Sequence, residues 1–396
     1  MISSSRRMLA VDTPIIPAVA ALVRENPGTI SLGQGVVNYG PPEEAIAAIP
    51  SLMSDVQLNK YQSVMGVEPL VEALTQKLAL DNGIVLGQDA KVMVTAGSNM
   101  AFLNCILAVT DPGDEVILPM PFYFNHEMAI RMCGCIPITV NTNLDWSLDV
   151  NAIAQAITPK TRVIVTVSPN NPTGAVYARE SLVAVNRLCA DKGLYHFSDE
   201  AYESFTYEDH EHFSPASLPH AGHHTVSFFS LSKNYGMASW RVGYVVFPAH
   251  LQEALNKVQD TNLICAPVVS QLVAVKALAC GRSWVKPKIQ ALVAVRKNVY
   301  TTLTELGPLA QFPKTHGAFY VLIKLPALAR GTDPMAFNQF MAQRHQVVSV
   351  PGFAFGLTDP ADGNYQRLSY GALEAESVAQ GVNRFVAAVK DWYRVR

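Results

Sequence analysis

The spacing of apolar positions changes twice along the chain. After an irregular arm through Pro42, Val67, Leu70, Val71, Leu74 and Leu78 recur on one helical stripe that stops at Asp81-Asn82-Gly83, which predicts a helix closed by a glycine. From there short apolar runs alternate with helical stretches. Residues 91–96, 115–118, 136–140, 162–168, 194–198, 225–229 and 241–247 read as strands. Such alternation predicts an α/β fold whose largely parallel sheet is covered by helices on both faces, with ligands beyond the carboxyl ends of its strands. Past Pro248 the pattern becomes helical over residues 251–259 and 268–279, then over a connecting helix at 284–306. Strands near 318–323, 347–350 and 366–370 and a final amphipathic helix from about Glu374 predict a smaller α+β unit.

A chain of 396 residues exceeds one ordinary core, so a large domain and a smaller one are expected. The pattern divides them as an arm at 1–42 that joins the small domain, a large domain at 43–283, and the connecting helix with the small domain at 284–396. Hydrophobic residues at 49% against 16% charged suit a large core and a substantial subunit interface. A net charge of −2 gives no field for nucleic acid or anionic membrane, which favours a small-molecule substrate. The six cysteines form no CxxC pair and lie near no histidine at zinc-finger spacing, so they read as reduced thiols. Arg6-Arg7 and Ala18-Val19-Ala20 loosely resemble an export signal, but Asp12, Pro14 and Pro17 interrupt its apolar stretch, so a cytoplasmic protein is expected. No run of about 18 apolar residues is present to span a membrane.

Candidate polar groups fall just past four of the strands, where an open sheet places its site. At the first end, Gly97-Ser98-Asn99 opens an apolar helical stretch; its backbone N–H groups and helix dipole suit a phosphate, and the turn serves equally as a plain cap. At the second, Pro169-Asn170-Asn171-Pro172-Thr173-Gly174 is a rigid turn that could hold the Asn171 amide near a ligand oxygen. At the third, Asp199-Glu200-Ala201-Tyr202 follows an apolar strand. Asp199 is expected to be buried there and to need a cationic partner such as a protonated pyridine nitrogen, with Tyr202 sharing the site. At the fourth, Ser230-Leu231-Ser232-Lys233-Asn234-Tyr235-Gly236 precedes Trp240-Arg241-Val242-Gly243-Tyr244. Most lysines are surface charges, but Lys233 ends a hydrophobic strand, where desolvation and nearby positive charge make the neutral amine accessible.

Read together, GSNMA, NNPTG, DEAY, SLSKNYGMASWRVGY and RLSYG resemble the class I aminotransferases, pyridoxal-phosphate enzymes of fold type I, from about Ser31 onward. The resemblance implies that fold, with a seven-stranded, mostly parallel sheet, and pyridoxal 5'-phosphate as cofactor. It implies that Lys233 carries the cofactor as a Schiff base and moves the substrate proton, while Asp199 keeps the pyridine nitrogen protonated. Asn171 and Tyr202 match the residues that bond the phenolic oxygen. Ser98, Asn99, Ser230, Ser232 and Arg241 match a phosphate site. Tyr123 matches an aromatic ring stacked on the cofactor, and Tyr61 a tyrosine reaching the phosphate of the neighbouring subunit, which implies a homodimer; core packing is the plain alternative for both. Arg367 matches the arginine that takes the substrate α-carboxylate, and Gly35 the glycine beside it. Val36-Val37-Asn38 departs from the residue-proline usual after that glycine.

The segments 123–129 and 262–267 are similar to a subgroup acting on aromatic amino acids or methionine with 2-oxo acid acceptors. No second arginine is evidently placed for a distal carboxylate. Aspartate transamination and carbon–sulfur lysis on the same scaffold are the competing activities. A non-catalytic regulator would be expected to carry an added helix-turn-helix, and the arm before Ser31 is short and insufficiently basic for one.

Overall fold

The computed structural model describes residues 4–326, 333–359 and 364–394. The seven expected strands form as β1 (Ala90–Thr95), β2 (Glu115–Met120), β3 (Ile136–Asn141), β4 (Thr161–Val167), β5 (Tyr195–Asp199), β6 (Thr225–Ser230) and β7 (Gly243–Pro248). They make one sheet in the order β1-β7-β6-β5-β4-β2-β3. Strands β6 and β7 are buried along their whole length, as central strands covered on both faces should be, whereas β3 at the edge is largely accessible. Strand β7 is antiparallel to β1 and β6, and the other neighbouring pairs are parallel. This reversal matters for the site. Because β7 runs backwards, its starting residue Gly243 lies opposite Thr95 at the end of β1 and Ser230 at the end of β6. The segment before β7 therefore arrives at the edge where the other strands finish.

The predicted glycine-closed helix is Glu68–Asn82, with Leu70, Leu74 and Leu78 fully buried and Gly83 in the left-handed conformation at φ 67°. A second, three-stranded antiparallel sheet joins β8 (Tyr320–Leu325), β9 (Val350–Pro351) and β10 (Asn364–Ser369) in the order β9-β10-β8. The strand expected at 347–350 is divided: Val347–Val348 pairs in parallel with Ile30–Ser31 instead. The long Gly281–Leu303 helix and the terminal Ala375–Arg394 helix pack together, and Leu303, Phe337, Phe385 and Val389 lie in the core beneath.

The arm is not irregular throughout. It contains an Arg6–Leu9 turn of helix and an Ile15–Glu25 helix that buries Ile15, Val19 and Leu22 against Ala342, Val348, Val350 and Phe355. Pro14 precedes that helix and Pro17 sits in its first turn, where a missing N–H leaves no bond unmade. Both prolines are helix-start signals here. No single helix among the described residues is long and apolar enough to cross a membrane.

Candidate active site

The carboxyl edge of the large sheet opens into a cavity of about 370 Å3. At one end stands the Ser98–Val109 helix, whose first-turn N–H groups are free of intrahelical partners. Gly97 precedes it at φ 81°, and a Cβ there would fall 2.4 Å from Arg241 Nη2. A Cβ on Gly243 would fall 2.7 Å from the Ser98 nitrogen. Glycines thus allow three backbone segments to converge. Ser230 caps the Leu231–Asn234 turn, its Oγ accepting the Ser232 N–H at 3.1 Å, and Ser230, Ser232 and Arg241 line the cavity beside Ser98 and Asn99. Arg241 donates to the Ala238 and Ala96 carbonyls at 2.9 and 3.3 Å, which aims its guanidinium at the helix start.

Asp199 ends β5 and is 5% exposed. Its Oδ1 accepts the Ala201 N–H at 3.0 Å, and its Oδ2 lies 3.0 Å from His126 Nε2. His126 was not among the residues expected from the sequence. Its ring stacks on Phe102 with centroids 4.0 Å apart and meets Tyr123 edge-on at 5.2 Å. A histidine on the same buried helix face as Ala129 and Ile130 needs a polar partner, and that is the sequence signal that could have found it. Tyr123 also lines the cavity, and its hydroxyl accepts from Asn125 at 2.9 Å.

The turn after β4 is fixed by Asn170, whose Oδ1 accepts from the Thr173 N–H and hydroxyl at 3.0 and 2.8 Å. Asn171 is left facing the cavity. Its Oδ1 accepts from Arg367 Nη1 at 2.8 Å, so its Nδ2 remains the group that can donate to a ligand. Tyr202 shares a 2.6 Å hydroxyl–hydroxyl hydrogen bond with Tyr320, a second residue the sequence reading did not single out. Burial, with the Tyr320 hydroxyl, holds Tyr202 far above the ordinary tyrosine pKa, so it stays a neutral phenol. Gly35 is required where it stands: a Cβ there would sit 2.4 Å from the Tyr320 hydroxyl.

Arg367 on β10 is 1% exposed, stacked against the rings of Tyr320 and Phe355 at 4.5 and 5.2 Å, and donates to Gly33 O as well as Asn171. Among the described residues its Nε has no hydrogen-bond partner. Lys233 donates to the Gly35 carbonyl. Burial first, then the Arg367 and Arg241 charges, lower its pKa from 10.5 to about 8, with Asp199 opposing them. Among the described residues of the cavity wall, these three cations face one carboxylate, Asp199, and none of them is ion-paired. The surplus positive charge suits a ligand that brings two anionic groups.

The model of the family described as aminotransferase class I and II matches residues 27–385. The chain belongs to the class I and II aminotransferases. It is 33% identical over 395 residues to the aromatic aminotransferase ISS1 of Arabidopsis thaliana, covering 98% of this chain and 96% of that one. It is 32% identical to the aspartate aminotransferase of Pyrococcus abyssi, with 91% and 92% covered. The structure of Thermus thermophilus aspartate aminotransferase with maleate superposes with a TM-score of 0.88 at 30% identity, over 98% of this chain and all of that one. The fold is therefore that of the fold-type I aminotransferases, and this chain is a transaminase of a family that uses pyridoxal phosphate.

Of the residues expected at the site, this aminotransferase brings together Gly35, Ser98, Asn99, Tyr123, Asn171, Asp199, Tyr202, Ser230, Ser232, Lys233, Arg241 and Arg367 around one cavity. Tyr61 is not among them. It is 81% exposed, which rules out core packing within its own subunit.

The lowered pKa of Lys233 has a measurable consequence for the cofactor-free protein. Between about pH 8 and 10.5 the unfolded chain binds the lysine proton that the folded chain has released, so the contribution of Lys233 to folded stability rises with pH across that window. Urea denaturation of the apoenzyme at pH 8 and pH 10 should show a change in stability that is more positive in the wild type than in Lys233→Ala, because the buried tyrosines and cysteines contribute equally to both. An identical slope in both proteins would contradict the assignment.

Proposed function

We propose that this aminotransferase binds pyridoxal phosphate at Lys233 and moves the amino group of an L-amino acid, aromatic or methionine, to a 2-oxo acid in two alternating half-reactions. One observation carries the proposal: a lysine with an accessible neutral form, a buried carboxylate and two unpaired arginines meet in a single cavity. The residues fit the cofactor. The Ser98–Val109 helix start, Ser230, Ser232 and Arg241 would hold its phosphate, and the glycine approach at Gly97 and Gly243 supports that cradle. Asp199, positioned by His126, would hold a protonated ring nitrogen. Asn171 and Tyr202 offer donors for its phenolic oxygen, and Tyr123 an aromatic face. Bound there, pyridoxal phosphate supplies an aldehyde carbon for exchange of amines and a ring that accepts the electrons left when the substrate α-proton departs.

The chain's own groups do the rest. Arg367 clamps the substrate α-carboxylate with its planar fork, beside the Gly35 backbone. Lys233, as a neutral amine, would take the substrate α-proton and hold it for return to the carbon that the cofactor supplies as its aldehyde. Tyr202 stays protonated and so does not compete as base. Tyr61, exposed on its own subunit, is proposed to complete the phosphate site of a partner in a cytoplasmic homodimer. Residues 43–283 would form the large domain, and residues 284–396 with the arm at 1–42 the smaller one.

Pro14, Ile16, Val36 and Phe124 give the cavity apolar walls, which supports an apolar substrate side chain. Aspartate is the second reading, favoured by the names of the Pyrococcus and Thermus relatives. It requires a cation for the distal carboxylate beyond the three already assigned. Mixing holoenzyme with single amino acids and following the cofactor absorption decides between them: phenylalanine or methionine should convert at least tenfold faster than aspartate. Aspartate turning over much faster than both would overturn the substrate assignment. Release of ammonia and pyruvate from a cysteine conjugate, in place of amino transfer, would mark a lyase.

A further inference from the structure

Beside the reaction cavity lies a second chamber of about 260 Å3. Its walls include Met120, Phe122, Met128, Phe353 and Ala354, with Thr139 and Thr358 contributing hydroxyl-bearing side chains. The Arg131 charge at its edge is already matched by Glu127. Among the described residues one side chain, Phe124, lines both spaces. The arm completes the partition: Asp12, Thr13 and Ile15 face the chamber, while Pro14 and Ile16 face the cavity. Phe124 is half-buried and packs at tilted angles against Tyr123 at 4.9 Å and Phe355 at 5.7 Å. Its neighbour Phe355 touches Arg367, so the partition stands close to the group assigned to the substrate carboxylate.

We infer that the second chamber extends the substrate side-chain site, and that Phe124 is the specificity-determining residue that sets how far a substrate side chain reaches. The inference rests on the apolar-substrate reading above and deepens it. At about 370 Å3 the reaction cavity is near the lower end of the ~300–1,000 Å3 typical of ligand pockets, yet it must hold a cofactor and the head of an amino acid together. A long apolar side chain needs more room. The adjoining chamber offers it behind a single aromatic ring, and Met120 and Met128 are side chains that repack around guests of varied shape. The occupant is therefore the distal part of an aromatic or other extended apolar side chain whose carboxylate sits at Arg367.

The test measures binding of two carboxylates, 3-phenylpropanoate and 5-phenylpentanoate, to the pyridoxal-phosphate-loaded enzyme by titration calorimetry. Phe124→Ala should shift the ratio of their dissociation constants about tenfold in favour of the longer acid, because its phenyl group gains burial the wild type denies it. Adding Met128→Trp, which fills the chamber from one helical turn beyond position 124, should return the ratio toward the wild-type value. A ratio that moves less than twofold in Phe124→Ala overturns the inference, and so does a shift that Met128→Trp does not reverse. If Phe124→Ala does not fold, Phe124→Leu tests the same ratio with a smaller opening. Failure of the underlying substrate reading has a separate signature, namely wild-type enzyme that prefers aspartate whatever this ratio does.

Discussion

Lys233→Ala is expected to leave a folded protein whose amino-transfer half-reaction is slower by on the order of 10,000-fold. The size of the effect follows from the lack of a substitute. Lys233 is the one lysine among the described residues of the cavity wall, and Tyr202 is held neutral by burial and by Tyr320. Asp199 is engaged by His126 and by the Ala201 N–H. Folding should survive because the lysine's charge is disfavoured where it stands and its one hydrogen bond goes to the Gly35 carbonyl. Stopped-flow mixing with phenylalanine measures the rate, and a thermal melt checks the fold. Turnover within tenfold of wild type would show that another group moves the proton.

Arg367→Lys should also be damaging, although less so and although it keeps the charge. The guanidinium is held between the Tyr320 and Phe355 rings while donating to Asn171 Oδ1 and Gly33 O, and an ammonium cannot reproduce that planar set. Losing the fork leaves two buried acceptors short of donors and weakens the hold on the α-carboxylate. The expected cost is about 3 kcal/mol, roughly 100-fold in kcat/KM. Comparing phenylalanine with 2-phenylethylamine isolates the carboxylate term. The variant should lose most of the wild-type preference for phenylalanine, and an undiminished preference would place the carboxylate elsewhere.

Much of this site was legible in the sequence because each motif follows a strand whose apolar run was easy to read. An open sheet then dictates that Asn171, Asp199 and Lys233 share one edge. Arg241 was harder to place, since it precedes a strand; the reversed direction of β7 is what delivers it to the same edge. His126 and Tyr320 escaped because their importance lies in partners distant along the chain. His126 meets Asp199 from 73 residues away, by subtraction of their positions, and the Tyr202–Tyr320 pair spans 118 residues. Neither separation leaves a periodic or motif-like trace. The helix in the arm is hidden for a different reason. Pro14 and Pro17 argue against the apolar core of an export signal, but at a helix start proline is compatible with the first turn, so they do not exclude the Ile15–Glu25 helix.

The fold also supports the role proposed for Lys233. Tyr39 bonds the Lys233 carbonyl at 2.9 Å, and Asn234 beside it donates to Glu203 at 3.3 Å, which is itself ion-paired with Lys77. The backbone carrying the amine is thereby tied on both sides. Burial and two arginines then weaken its hold on the proton.

Borohydride reduction of the pyridoxal-phosphate-loaded enzyme, followed by peptide mapping, tests the central claim most directly, because it fixes the cofactor to whichever amine holds its aldehyde carbon. The predicted result is a single phosphopyridoxyl mark on Lys233; a mark on another lysine, or none, would contradict the assignment.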